Sequence, residues 1–181
     1  MVIVKIGGSL LDQGPEICTP WVQRLRSLSL EDQFLVVVGG GQLVEALRKQ
    51  SALWPLSEAD YHHRALAMMD FNGQLFAQIY GLPSQDRAIA LDDPPPIGVW
   101  TGSAQLILVS ELEPSWRTTS DAVAAWLGWT LHCPVRIVKS VMPPNGIPMT
   151  LTEKSWLLWR NHFDEMTPVW VKRGVDITWI G

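Results

Sequence analysis

Three short stretches of this sequence combine glycine with charge in a way that suits the binding of an anion. The first, Lys5-Ile6-Gly7-Gly8-Ser9, closes an apolar run that begins at Val2. Glycines carry no side chain, so their backbone N–H groups approach a phosphate oxygen closely, and Lys5 sets a positive charge beside it. An ammonium inside an apolar strand costs stability unless a counter-charge meets it. The plainer reading is a tight turn after a strand, with a lysine that snorkels to water. The second stretch, Val36-Val37-Val38-Gly39-Gly40-Gly41, repeats the arrangement ahead of helical spacing at Leu43, Val44 and Leu47. Glycines between a buried strand and a helix expose the helix N-terminus to an anion, and a flexible turn is the alternative. The third is Thr118-Thr119-Ser120-Asp121-Ala122-Val123-Ala124-Ala125. Ser120 and Asp121 suit a helix start, which capping alone would explain. The functional alternative makes Asp121 an organiser of a cationic side chain near a transferred phosphoryl group.

Neither glycine loop is a Walker A motif, since no Gly-x-x-x-x-Gly-Lys-Ser/Thr occurs, and neither is a dinucleotide fingerprint, since Val44 stands where a third glycine would fall. The elements that must position the loops alternate along the chain. Strands are expected at Val2–Ile6, Phe34–Val38, Ala88–Leu91, Gln105–Val109, Val135–Val138 and Val175–Ile180. Helices are expected at Pro20–Leu28, after Gly41 with spacing at Leu43, Val44 and Leu47, from Ser57 and Asp60 to Tyr80, from a Ser120 cap through Trp129, and at Glu153–Arg160. Pro/Gly stretches at 92–96 and 142–148 read as turn and loop. Such alternation predicts an α/β fold, a three-layer αβα sandwich around a mainly parallel sheet. No repeat, low-complexity tract or linker divides the chain, so residues 1–181 read as one domain.

Composition narrows the function classes. Hydrophobic residues make up 47% of the chain, as in globular proteins. The net charge of −4, with scattered lysines and arginines, argues against a nucleic-acid partner. Cys18 and Cys133 have no metal-ligand spacing, and no His or Cys pattern suggests a dedicated metal site. Two distant cysteines fit a reducing cytoplasm. The N-terminal run contains Lys5 and reads as a buried strand, not a signal peptide. No apolar run approaches the roughly 18 residues of a membrane span, so no membrane partner is expected. Ten tryptophans are a heavy load, expected to fill the core and to serve a homo-oligomer interface.

Together the three stretches resemble the amino acid kinase superfamily, whose pattern is Lys-x-Gly-Gly-Ser, a Gly-Gly-Gly loop after the second strand, and a Ser/Asn-Asp-x-x-Ala-Ala helix start. The length and the segment His62–Asp70, with His-x-x-Ala on His62 and Ala65, look most like its small aminomethylfuran phosphate kinase-like subgroup of methanofuran biosynthesis. The resemblance implies transfer of the γ-phosphoryl group of ATP to a small carboxylate or phosphate acceptor, with Mg2+ carried by the nucleotide phosphates. It implies that Lys5 and Asp121 are catalytic, Asp121 orienting Lys5. By the same resemblance Gly7, Gly8, Ser9, Gly39, Gly40, Gly41, Ser140, Asn145 and Gly146 contact ATP or its phosphates, and Gly40, Gly41, His62 and Ser120 contact the acceptor.

Two departures from the pattern bear on this reading. Where the family commonly carries Thr-Asp-Val-Asp-Gly, Lys139-Ser140-Val141 is followed by Met142-Pro143-Pro144 and Asn145-Gly146. The second phosphate-neutralising lysine of the family falls in no matching motif, which leaves Lys139, Lys154 and Lys172 as candidates, and Asp164 and Glu165 stand where a cation is expected. The alternative these departures suggest is a catalytically reduced relative that binds a nucleotide or metabolite as a sensor or subunit.

Overall fold

The computed structural model describes residues 1–86, 95–103, 106, 111–141, 149–159 and 161–180. In chain order its elements are β1 Val2–Ile6, α1 Gly8–Leu11, α2 Pro15–Leu28, β2 Phe34–Val38, α3 Gly41–Ser51 and α4 Glu58–Tyr80. Then follow β3 Ser84–Gln85, β4 Ile97–Trp100, α5 Ser120–Thr130, β5 Val135–Val138, α6 Trp156–Trp159, α7 Thr167–Lys172 and β6 Ile177–Trp179. The six strands lie in the order β3-β4-β2-β1-β5-β6, and every strand pair in the sheet is parallel. β1 is central, with Lys5 opposite Val37 of β2 on one side and Ile137 of β5 on the other. Parallel pairing brings all carboxyl ends to one edge of the sheet, where ligands of such folds bind.

The expected αβα sandwich is the observed architecture. Parallel strands covered on both faces need apolar side chains throughout, which is why all of β2 is buried and shows no alternation. Alternate residues still divide between the two faces. Ile3, Leu35, Val37 and Ile137 pack against Ala122–Leu127 of α5. Val4, Ile6, Val36 and Val38 pack against Cys18, Val22 and Leu25 of α2. Lys5 shares the parity of Ile3, so its side chain leaves β1 on the side of α5 and of Asp121. Trp159, Trp170 and Trp179 are fully buried in the α5-side core, as the tryptophan load leads one to expect.

α4 starts and stops where its sequence signals stand. The Ser57 hydroxyl accepts from the Asp60 amide at 3.1 Å, the Asp60 carboxylate accepts from the Ser57 amide at 3.2 Å, and Gly81 closes the helix at φ +61°.

Other boundaries differ from expectation. α2 begins at Pro15, where a fixed φ and a missing N–H cost nothing, and it continues through Pro20 with the loss of one backbone hydrogen bond. α6 starts at Trp156 and not at Glu153, because Thr152 and Ser155 bond to each other's amides at 2.9 and 3.1 Å and hold a turn instead. β6 is shorter than Val175–Ile180. The α5 cap is Thr119, not Ser120. β3, β4 and α7 carry no clear signal in the sequence. The strand expected at Ala88–Leu91, most of that at Gln105–Val109, most of the turn at 92–96 and the loop 142–148 lie outside the described residues.

Candidate active site

The two glycine loops meet back to back at the carboxyl edge. A Cβ built on Gly8 would lie 2.1 Å from the Gly41 nitrogen, and one on Gly39 would lie 2.7 Å from the Gly8 nitrogen. Only residues without side chains allow this approach. Gly41 adopts φ +53°, the left-handed region that glycine favours. Hydrogen bonds pin the loops in place: the Gly39 amide donates to the Ile6 carbonyl at 2.9 Å, the Gly7 amide to the Val138 carbonyl at 2.9 Å, and the buried Asn72 amide group to the Gly39 carbonyl at 2.9 Å. The Ser9 and Ser140 hydroxyls lie 3.0 Å apart and link the first loop to the end of β5. One amide at the start of α3, that of Gln42, is already taken by the Asp12 carboxylate at 2.9 Å. The anion capacity expected at this helix start is therefore shared with a carboxylate of the chain itself.

Beside the loops lies a buried triad of charges. Asp121 sits in the first turn of α5, with the Lys5 ammonium 2.7 Å from Oδ1 and the Lys139 ammonium 2.6 Å from Oδ2. The Lys5 and Asp121 side chains are only 6% and 5% exposed, against 17% for Lys139. Burial opposes the Asp121 charge, but the two ammonium groups outweigh it and hold its carboxyl at about 2. Burial pushes the Lys5 pKa down, and Asp121 resists that shift. Lys139 is further positioned by the His162 carbonyl, which accepts from Nζ at 2.6 Å, and by the Phe163 ring, whose centroid is 4.3 Å from Nζ. Two ammonium groups on one carboxylate set positive charge beside the glycine edge, offset in part by the nearby buried Asp164.

Asp164, standing where the resemblance to the family implies a cation, serves the scaffold. Its Oδ2 accepts from the Thr119 and Ala122 amides at 2.8 and 3.0 Å, at the start of α5. Its Oδ1 accepts from the Met166 and Thr167 amides at 3.1 and 2.7 Å, at the start of α7. One carboxylate thus satisfies orphan amides of two helices. Because Asp164 and Thr119 do the capping, Ser120 is free to line the cleft.

That cleft, of about 270 Å3, opens from the glycine loops between α3 and α4. Gly8, Ser9, Gly40, Gly41 and Ser120 form its floor, and Val44, Ala65, Leu66 and Met69 its apolar middle. Arg48, His62 and Trp116 line its far end. His62 is buried, with Nδ1 3.1 Å from the Ser115 carbonyl. A carbonyl only accepts, so Nδ1 carries the proton, and burial pushes the His62 pKa below its ordinary value.

The structure thus brings together Lys5, Gly7, Gly8, Ser9, Gly39, Gly40, Gly41, Ser120, Asp121 and Ser140, and sets His62 along the cleft. Asn145 and Gly146 lie outside the described residues. Lys139 stands out from Lys154 and Lys172 by its contact with Asp121. Sequence reasoning missed Asp12, Glu45, Arg48 and Trp116. Glu45 and Arg48 follow Gly41 at helical spacing of four and seven, which is the signal that could have found them. Among the described residues, no group of three or more His, Cys, Asp or Glu is placed to hold a metal ion. No helix among them is long and apolar enough to cross a membrane.

Comparison with known proteins agrees with this architecture. The model of the amino acid kinase family matches residues 1–142. The aminomethylfuran phosphate kinase of Methanocaldococcus jannaschii is 28% identical over 133 residues, covering 71% of this chain and 60% of that protein. The chain therefore spans about 60% of the length of that curated relative. The crystal structure of uridylate kinase from Archaeoglobus fulgidus superposes with a TM-score of 0.69 at 20% identity, over 99% of this chain and 89% of that one, a likeness of fold.

Proposed function

Since the chain belongs to the amino acid kinase family, we propose that it is an ATP-dependent small-molecule kinase whose acceptor is a small phosphate or carboxylate. The observation that carries this reading is the buried Lys5–Asp121–Lys139 triad against two glycine loops. Phosphoryl transfer asks a protein mainly for positioning and for charge stabilisation. In this reading the acceptor oxygen, held over Gly40 and Gly41, attacks the γ-phosphorus in line. The bond from γ-phosphorus to the β,γ-bridging oxygen breaks and ADP leaves with the electron pair. Lys5 and Lys139 stabilise the charge that spreads over the transferring group. Asp121 keeps both ammonium groups aimed, while Gly7, Gly8, Ser9 and Ser140 hold phosphate oxygens. No group of three or more His, Cys, Asp or Glu among the described residues is placed to hold a bare cation, so Mg2+ belongs to this reading as the ion that ATP carries on its own oxygens.

The named relative makes an aminomethylfuran phosphate, in a methanofuran-type pathway, the acceptor we favour. ADP release from Mg-ATP should depend on such an acceptor and fall at least a hundredfold in Lys5→Ala. Tight nucleotide binding with no turnover across phosphate monoesters and carboxylates would instead establish the sensor reading, which the Asp12 carboxylate on the α3 amide and the serine at position 140 favour.

We propose in addition a cytoplasmic homo-oligomer that buries one face of α4. Phe71, Leu75 and Ile79 recur at intervals of four on that helix and are 57%, 40% and 45% exposed. A Phe71→Glu variant should sediment as a monomer while wild type does not. Monomeric wild-type protein at micromolar concentration would refute the proposal.

A further inference from the structure

Lys139 stands directly after β5 on a long flexible stem, yet its ammonium occupies one defined place. It shares Asp121 with Lys5, so two like charges repel across a single carboxylate. Three groups hold it against that repulsion. Asp121 Oδ2 and the His162 carbonyl each accept from Nζ at 2.6 Å, and the ammonium lies over the Phe163 ring, 4.3 Å from its centroid. An ammonium has three N–H donors, so these two oxygens leave one for a ligand. The face of an aromatic ring is the negative part of its quadrupole. Phe163 therefore attracts the charge without offering a lone pair that a phosphate oxygen would have to displace.

Two of these three groups come from one short segment between α6 and α7, and its neighbours fix that segment firmly. Asp164, next to Phe163, accepts from the amides of Thr119, Ala122, Met166 and Thr167 and from the Thr119 and Thr167 hydroxyls, all at 2.7 to 3.1 Å. Thr119 and Ala122 flank the start of α5, the helix that carries Asp121. One carboxylate thus ties the Phe163 ring to the helix that supplies the other partner of Lys139. Behind the ring stand Trp159 and Trp179, with centroids 5.1 and 5.7 Å away. Neither Phe163 nor Asp164 is on the lining of the cleft.

We infer that Phe163 is a positioning residue for phosphoryl transfer, its ring face holding the Lys139 ammonium beside Asp121, with Asp164 as the anchor of that ring. The effect on rate rests on the kinase reading, and the hold on Lys139 does not.

The test separates the charge distribution of the ring from its bulk. Pentafluorophenylalanine at position 163 keeps the shape and reverses the quadrupole, whereas Phe163→Leu removes the ring. Both changes should lower kcat about tenfold at saturating Mg-ATP and leave the KM values of ATP and acceptor within about twofold. In a Lys139→Met background neither should lower kcat by more than about twofold, because the partner of the ring is already gone. A fluorinated enzyme with wild-type kcat, or the same loss in both backgrounds, reduces Phe163 to core packing and overturns the inference while leaving the kinase intact. Acetylation of single lysines by a small succinimidyl ester, followed by mass spectrometry on nucleotide-free protein, reads the hold on Lys139 without turnover. Both changes should speed the reaction of Lys139 about fivefold or more and leave Lys5, Lys154 and Lys172 within about twofold. Acceleration confined to Lys139 upholds the inference even where no acceptor turns over. An unchanged rate at Lys139, or a general acceleration that includes the buried Lys5, refutes it.

Discussion

Replacing Lys139 by methionine is expected to lower kcat by about a hundred- to a thousandfold, the usual cost of removing one preorganised group that stabilises transition-state charge, while leaving the fold intact. The reason is a count of charges. The triad holds two ammonium groups on one buried carboxylate. Lys139→Met leaves Lys5 and Asp121 as an ion pair but removes charged hydrogen bonds to Asp121 and the His162 carbonyl, so the unfolding free energy should fall by about 1–3 kcal/mol, less than for loss of the carboxylate. Asp121→Asn does the reverse and strands two cations, one of them buried. It should destabilise the protein by about 3–5 kcal/mol, in addition to abolishing turnover.

Urea denaturation and steady-state kinetics on the two variants check the pair of outcomes together. Unchanged kcat in Lys139→Met at saturating ATP would remove Lys139 from the chemistry. Equal stabilities of Lys139→Met and Asp121→Asn would mean that Asp121 does not neutralise the cluster. The same cluster imposes a dependence on pH. Asp121 is held at about 2 in the fold against an ordinary 3.8, so it stabilises fully above about pH 4 and loses that contribution as pH falls from 3.8 towards 2. About 2 kcal/mol should disappear over that window in wild type and not in Asp121→Asn.

Gly8→Ala is expected to be strongly damaging for a change of one methyl group. The added carbon would stand 2.1 Å from the nitrogen and 2.5 Å from the Cα of Gly41, and 2.9 Å from the carbonyl carbon of Gly39. These are backbone atoms of a loop already bonded to Ile6, Asn72 and Asp12, so no rotamer change relieves the clash. Overpacking of this kind costs about 3 kcal/mol or more and here would separate the two loops. Gly7→Ala is the matched control, because its nearest contact is a single carbonyl oxygen at 3.3 Å, and it should cost no more than about 1 kcal/mol. The thermal midpoint of each variant, with and without ATP, reads the difference. A Gly8→Ala protein as stable as Gly7→Ala, with the same stabilisation by ATP, would show that the loops do not need their close approach.

Much of the frame was legible from local rules. The runs at Val2–Ile6, Phe34–Val38 and Val135–Val138 are apolar at every position but Lys5 and Arg136, a pattern that only a doubly covered parallel strand demands. α4 was legible because its capping box and terminal glycine are local chemistry. β3 and β4 were not, since a two-residue strand and Ile97–Trp100 acquire their identity from the neighbour they pair with. The cap of α5 was misread for a similar reason. Ser120 is a good capping residue in isolation, but Asp164, more than forty positions away, captures Thr119 and sets the boundary one residue earlier.

By itself the sequence determined that two glycine turns and a lysine stand at the ends of buried strands, because side-chain volume, strand parity and backbone freedom are properties of neighbours in the chain. Tertiary structure alone decided that Lys139, from a strand end with no familiar motif, shares Asp121 with Lys5. It alone decided that His62 meets the Ser115 carbonyl, and with it which ring nitrogen carries the proton. Electrostatic partnership acts through space at about 3 Å and falls off with distance, so the charge of the site is settled only when the sheet brings its strand ends side by side.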